Sequence, residues 1–132
     1  MKVNIEKQSD GTYIAYNTSG EKVTLIGTGE TVKEAKEDFF NTIEELRQSY
    51  LDTNDPIPAF LEDSVDFHFD LSSLFEYYSM LNVSALGRYL GINPSLMRQY
   101  KSGDTYISDA QLEKIEEGIH RLGSELTALK LS

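Results

Sequence analysis

The side chains best suited to reading another molecule are concentrated between Asn93 and Lys101: Asn93, Ser95, Leu96, Arg98, Gln99 and Lys101. A guanidinium can bond two acceptors on a guanine edge at once, a carboxamide can do the same on adenine, and a leucine can touch a thymine methyl. Ser84 and the amides at helix starts are groups that hold phosphate oxygens. The materials of other chemistries are missing. There is no cysteine, which excludes disulfides, thiolate metal ligands and a cysteine nucleophile. His68 and His120 do not stand at metal-ligand spacing with other donors. Gly27-Thr28-Gly29 lacks the lysine and the wider motif of a phosphate-cradling loop. No catalytic residue, metal site or cofactor is expected.

Those polar side chains need a scaffold, and the surrounding residues describe one. Ser84 can cap a helix containing Leu86, Gly87, Tyr89 and Leu90, which Gly91 ends. Asn93-Pro94 starts the next helix, where proline's missing amide hydrogen would have no partner anyway. Met97 and Tyr100 turn inward to join Leu86, Leu90 and Ile92, leaving the polar set outside. Gly87 is small where two helices cross, and Gly91 can take the left-handed backbone of the turn. The stretch Ser84–Gly103 resembles the helix-turn-helix of phage-repressor-type regulators. The resemblance implies that the second helix enters the major groove of operator DNA. After Gly103, where that family often places Arg or Lys, this chain has Asp104-Thr105-Tyr106.

The remainder of the chain is expected to supply pairing. Ser108 and Gln111 form a capping pair for a last helix in which Leu112, Ile115, Ile119, Leu122, Leu126 and Leu129 recur in four- and three-residue steps. Leu112, Ile115 and Ile119 are assigned to the small helical core, and Leu122, Leu126 and Leu129 to a contact with a second copy. Gly118 and Gly123 weaken a long zipper.

The first half reads as a sheet with one helix. Val3 and Ile5 alternate with polar residues, Asp10-Gly11 turns the chain, and Thr12–Tyr16 forms a second strand. A third strand is expected at Val23–Ile26, ending at Gly27-Thr28-Gly29. Thr31 and Glu34 can bond each other's free amides at a helix start. Val32, Ala35, Phe39, Ile43, Leu46 and Tyr50 then form one stripe, and the helix ends near Asp52. Asp55-Pro56-Ile57-Pro58 interrupts regular structure, and a fourth strand follows at Val65, Phe67 and Phe69. Leu71, Leu74, Phe75 and Tyr78 make a short helix with Asp70 as its cap.

The order β-β-β-α-β, with Asp10-Gly11-Thr12-Tyr13 in the hairpin and Gly29–Glu37 entering the helix, resembles the HicB antitoxin family over about residues 1–70. The resemblance implies a reduced ribonuclease H-like fold and a partner, a small basic RNA-cleaving toxin of HicA type. It also prompts a check of Glu6, Asp10, Asp66 and Asp70 as a two-magnesium site; acids on the wet face of a half-buried strand are the simpler reading.

Charge divides the chain in the same place. Residues 1–79 hold six Lys/Arg against sixteen Asp/Glu, a balance of −10, and residues 80–132 hold six of each. An acidic surface repels phosphates and attracts basic proteins. A neutral reading fragment gains little from counterion release, so its DNA binding requires a homodimer or higher homo-oligomer. No apolar run approaches the roughly 20 residues of a membrane helix, and a cytoplasmic protein without a membrane partner is expected. The fold expected is α+β: residues 1–70 a HicB-like domain, residues 71–132 an all-α helix-turn-helix domain. The function implied is a non-enzymatic antitoxin that represses its own operon through double-stranded operator DNA. The alternatives are a stand-alone regulator without a toxin, or a non-catalytic RNA-associated interaction module.

Overall fold

The alternating residues at the start of the chain form β1 (Lys2–Lys7) in a computed structural model that describes every residue from Met1 to Ser132. β1 pairs antiparallel with β2 (Tyr13–Asn17), which pairs antiparallel with β3 (Ile26–Gly29). The chain then crosses through α1 (Val32–Asp52) and a 3-10 turn at Ala59–Leu61 to β4 (Asp66–Phe69), which lies parallel to β1. The sheet order is β3-β2-β1-β4. Val3, Ile5, Tyr13 and Ala15 point to one face, where Val32, Ala35, Phe39 and Ile43 of α1 bury them. Leu46 and Tyr50 extend the same stripe at its half-buried margin.

The third strand lies later than its sequence suggests. Residues Val23–Leu25 are held by a side chain instead of a ladder: Asn17 donates to the Val23 carbonyl at 2.9 Å and accepts from the Leu25 amide at 2.7 Å. Pairing resumes only at Ile26, opposite Tyr16. Gly27 and Gly29 belong to this strand because α1 lies directly on it. A Cβ at Gly27 would stand 2.3 Å from the Phe39 nitrogen, and one at Gly29 2.4 Å from the Glu34 Cβ.

The start of α1 also differs in one bond. Thr31 accepts from the Glu34 amide as expected, but the Glu34 carboxylate accepts from Glu30. The Val32 amide donates to Glu76 at 2.9 Å. Glu76 lies on α2 (Leu71–Tyr77), whose cap Asp70 accepts from Ser73 at 2.8 Å and from Lys7 of β1 at 3.0 Å. These bonds tie α2 to the sheet and to α1. The chain accordingly divides into Met1–Ser79 and Met80–Ser132, not at residue 70.

The second unit is built from α3 (Val83–Leu90), α4 (Pro94–Ser102) and α5 (Asp109–Ala128). Its buried residues include Leu86, Leu90, Ile92, Met97, Tyr100 and Ile115. Leu112 is exposed despite its place in the repeat, and Leu129 lies past the end of the helix. Gly118, expected only to weaken the helix, is buried against α3: a Cβ there would meet Leu90 Cδ2 at 1.9 Å, whereas one at Gly123 meets nothing. Arg121 stacks over the Tyr89 ring and donates to its hydroxyl at 3.2 Å, and that hydroxyl donates to Glu125 at 3.1 Å. α5 is thereby fixed on α3. No helix is long and apolar enough to cross a membrane.

The two glycines of α5 should respond oppositely to alanine. Gly123→Ala is expected to stabilise the protein by about 0.5–1 kcal/mol, through helix propensity alone. Gly118→Ala should destabilise it by about 1–3 kcal/mol through overpacking. Urea unfolding of both variants checks this, and equal effects would refute the close helix crossing.

Candidate nucleic-acid interface

The turn between α3 and α4 sets the geometry of the polar residues. Gly91 has φ 73°, a left-handed backbone that ends α3, and the Ile92 amide folds back to the Gly87 carbonyl at 2.8 Å. Asn93 then caps α4, its Oδ1 accepting from the Ser95 amide at 2.8 Å, with Pro94 in the first turn. A Cβ on Gly87 would lie 2.8 Å from Met97 Cγ and 3.0 Å from the Ile92 oxygen. The missing side chain therefore lets α4 seat on α3, with Met97 and Tyr100 as its buried side.

At about 100° per residue, the opposite side of α4 centres on Ser95, Arg98 and Gln99, with Leu96 and Lys101 on its flanks. Ser95, Arg98, Gln99 and Lys101 are exposed and Leu96 is half-buried. Arg98 spans the two helices: it donates to Ser84 Oγ of α3 at 2.8 Å and to Ser95 Oγ at 3.3 Å. Gln99 Oε1 accepts from Thr105 at 3.0 Å. Ser84, Ser95 and Arg98 are thus one bonded group, and Gln99 stands beside it.

Two expected roles change. Ser84 is not the cap of α3; Asn82 is, accepting from the Ala85 amide at 2.9 Å. Both residue types cap well, but buried Val83 continues the apolar face by an extra residue and moves the helix start back. Asn93 cannot present both halves of its amide to a base in this arrangement, because its oxygen is engaged by its own helix. Sequence reasoning also passed over Thr105, which positions Gln99, and Tyr106, which is 86% exposed in the turn after α4. The signal for both lay in the Asp104-Thr105-Tyr106 departure. Between Met80 and Gly103 the chain carries Arg88, Arg98 and Lys101 and no Asp or Glu, so the acids of this unit all follow α4.

The carboxylates considered for a two-metal site are dispersed on other tasks. Glu6 accepts from Tyr16 at 2.7 Å on the sheet face away from α1, and this bond keeps the phenol protonated above its ordinary range. Asp10 accepts from the Thr12 hydroxyl and amide in the first hairpin, which lowers its pKa. Asp66 meets His68 at 2.9 Å, and Asp70 caps α2. No group of three or more His, Cys, Asp or Glu residues is placed to hold a metal ion. His120 is exposed on α5. No family model, curated protein or solved structure matches the chain.

Loss of a helix cap costs about 0.5–2 kcal/mol. Asn82→Ala should therefore lower the unfolding free energy of the second unit by that amount, measured by urea denaturation. Ser84→Ala removes only an exposed hydroxyl contact to Arg98, and a change under about 0.5 kcal/mol is expected.

Proposed function

We propose that the protein is a HicB-like antitoxin that represses its own operon, with α4 as a major-groove reader of double-stranded operator DNA. On this reading the acidic unit holds a small basic RNA-cleaving toxin. The observation that carries the DNA assignment is the Ser95–Arg98–Gln99 row, exposed on the side of α4 opposite its buried Met97 and Tyr100. The −10 balance of residues 1–79 favours a basic protein partner for that unit.

The energetics permit the exchange that reading requires. Arg98 must release Ser84 and Ser95 to reach a base edge, at about 0.5–1.5 kcal/mol for each neutral bond and less at an exposed site. A bidentate guanine contact contributes about 1–3 kcal/mol of discrimination. Arg98 has donors beyond the two used here. Phosphates can meet the hydroxyl of Ser84 once Arg98 leaves it, the ammonium of Lys101 and the first-turn amides of α3. Unmatched base contacts therefore leave the resting bonds intact, and matched ones replace them.

The experiment is selection of binding sites from a random duplex pool by the full chain, followed by fluorescence anisotropy on the winning site at fixed salt. Arg98→Ala should cost about 1–3 kcal/mol on that site, roughly 5- to 150-fold in affinity, and relax selectivity at one position. Lys101→Ala should weaken all sequences alike and reduce the salt slope by about one. An Arg98→Ala/Gln99→Ala double variant that keeps its selectivity would refute the reader. Co-expression with the product of a neighbouring gene, if that product is a basic protein that arrests growth, should lift the arrest equally well with this double variant. Site selection without any such partner would leave a stand-alone regulator.

A further inference from the structure

The two edges of the sheet are treated differently. On β3 the outward backbone groups are covered by α1: the Thr28 amide donates to Asp38 at 2.8 Å, and the Ile26 carbonyl accepts from Thr42 at 3.2 Å. β4 has β1 on one side and no strand on the other. The amides of Asp66 and Asp70 donate to the carbonyls of Met1, just before β1, and of Ile5 in β1. By the alternation of a parallel ladder, His68 also turns toward β1, and the N–H and C=O of Phe67 point off the sheet. Unpaired edges of this kind are templates for another strand.

We propose that a second copy of this chain pairs with β4 antiparallel about a two-fold axis at Phe67, joining two sheets into one. Two properties of the strand select this occupant and this register. The first is backbone parity. With Phe67 opposite the second copy's Phe67, the outward groups of both residues meet as a hydrogen-bonded pair, and Val65 and Phe69 fall opposite each other on either side. Centring on Asp66 or His68 keeps this parity but opposes like side chains, Asp66 to Asp66 in the first case and His68 to His68 with Asp66 to Asp70 in the second. Centring on Phe69 would run Leu71, the first residue of α2, into the pair.

The second property is the match of a carboxylate to an imidazole. In the Phe67 register, Asp66 lies opposite the second copy's His68, and His68 opposite its Asp66. Both are exposed, they already meet at 2.9 Å within one chain, and they occupy the non-hydrogen-bonded sites where cross-strand side chains are closest. The strand is thus complementary to itself. On the other face, Phe67 packs edge-on against Phe40, with ring centres 5.7 Å apart, and Phe40 is 43% exposed. The two-fold axis brings two such pairs together and covers them. A two-fold interface uses the same patch on both copies, which a strand with alternating opposite partners satisfies.

The chain contains no cysteine, so an introduced thiol reports its own neighbour. Full-length Asp66→Cys and His68→Cys variants are mixed in equal amounts and mildly oxidised, and the disulfide-linked dimers are identified by mass. Opposed non-hydrogen-bonded residues have Cα atoms about 4.5 Å apart, within disulfide reach, whereas like residues of the two copies sit diagonally at about 7–8 Å. The mixed dimer should form at least roughly fivefold faster than either like dimer, and faster than a Thr28→Cys dimer through the covered edge. A mixed dimer no faster than these controls overturns the proposal. A second measurement does not depend on thiols. Asp66→Lys and His68→Glu, both at exposed positions, should each weaken self-association in sedimentation, and mixing them should restore it as a heterodimer; failure of the mixture to associate also overturns it. Neither readout depends on DNA, so a failed pairing leaves the reading helix to its own test.

Discussion

The absence of a side chain at Gly87 determines which side of α4 faces solvent. Any Cβ there would press on Met97 and on the Ile92 carbonyl, so the two helices could not cross at this distance. With that crossing allowed, Met97 and Tyr100 are buried, and helical geometry leaves Ser95, Arg98 and Gln99 on the opposite side. The same device recurs at Gly27, which admits α1 to the sheet, and at Gly118, which admits α5 to α3. The neighbour is the α1 backbone at Gly27, Met97 and the Ile92 carbonyl at Gly87, and the Leu90 side chain at Gly118, and at each the missing side chain sets which residues face outward.

Several acids of the first unit hold the fold while they supply its charge. Asp38 covers the edge of β3, Glu34 accepts the Glu30 amide, Glu76 the Val32 amide, and Asp70 joins β1 to α2. A carboxylate accepting backbone N–H groups is a strong, charge-assisted bond. The negative balance is therefore partly a by-product of how helix starts and strand edges are satisfied, and partly exposed acidic surface of a kind that repels phosphate and favours basic groups. Replacing acids to test charge alone would unlatch structure unless the change fell on those without a backbone partner.

What could be read from residue order was the periodic part. The α1 stripe, the core of α3 and α4, and the caps Thr31, Asp70, Asn93 and Ser108 follow from three- and four-residue spacing and side-chain chemistry. The failures share a cause: each turned on a contact distant in sequence or on a choice between equivalent residues. Val23–Leu25 looked like a strand, but the Asn17 carboxamide satisfied its backbone. α2 looked like the start of the helical domain until Glu76 and Asp70 joined it to α1 and β1. Asn82 and Ser84 are both good caps, and only the burial of Val83 separates them. Gly118 reads as a helix weakener unless the position of Leu90 is known. The carboxylates were legible as residues but not as a site, because adjacency in a sheet is set by register.

On the proposed function, the cation count limits what one copy can do on DNA. With Arg88, Arg98 and Lys101 as the basic residues of Met80–Gly103, at most about three phosphates can be neutralised there, and affinity that depends on counterion release stays modest near physiological salt. Sequence discrimination by two or three side chains adds only a few kcal/mol. On the same reading, binding must be multiplied by linkage: two copies held in one assembly turn the second binding event into an intramolecular one, provided the operator repeats at a spacing they can span. A contact that pairs copies need not touch DNA to achieve this. The apolar residues Leu126 and Leu129 at the end of the chain and the self-complementary edge of β4 are two separate surfaces on which such linkage could rest. Only the second carries an alternating carboxylate and imidazole pattern that distinguishes a correct partner from a merely greasy one, because mispaired registers oppose like side chains or leave backbone groups unsatisfied. If α4 reads DNA as proposed, specific pairing at low concentration is what such a weak reader requires, and on that reading the edge, not the leucine row, is the stronger candidate for holding two copies together.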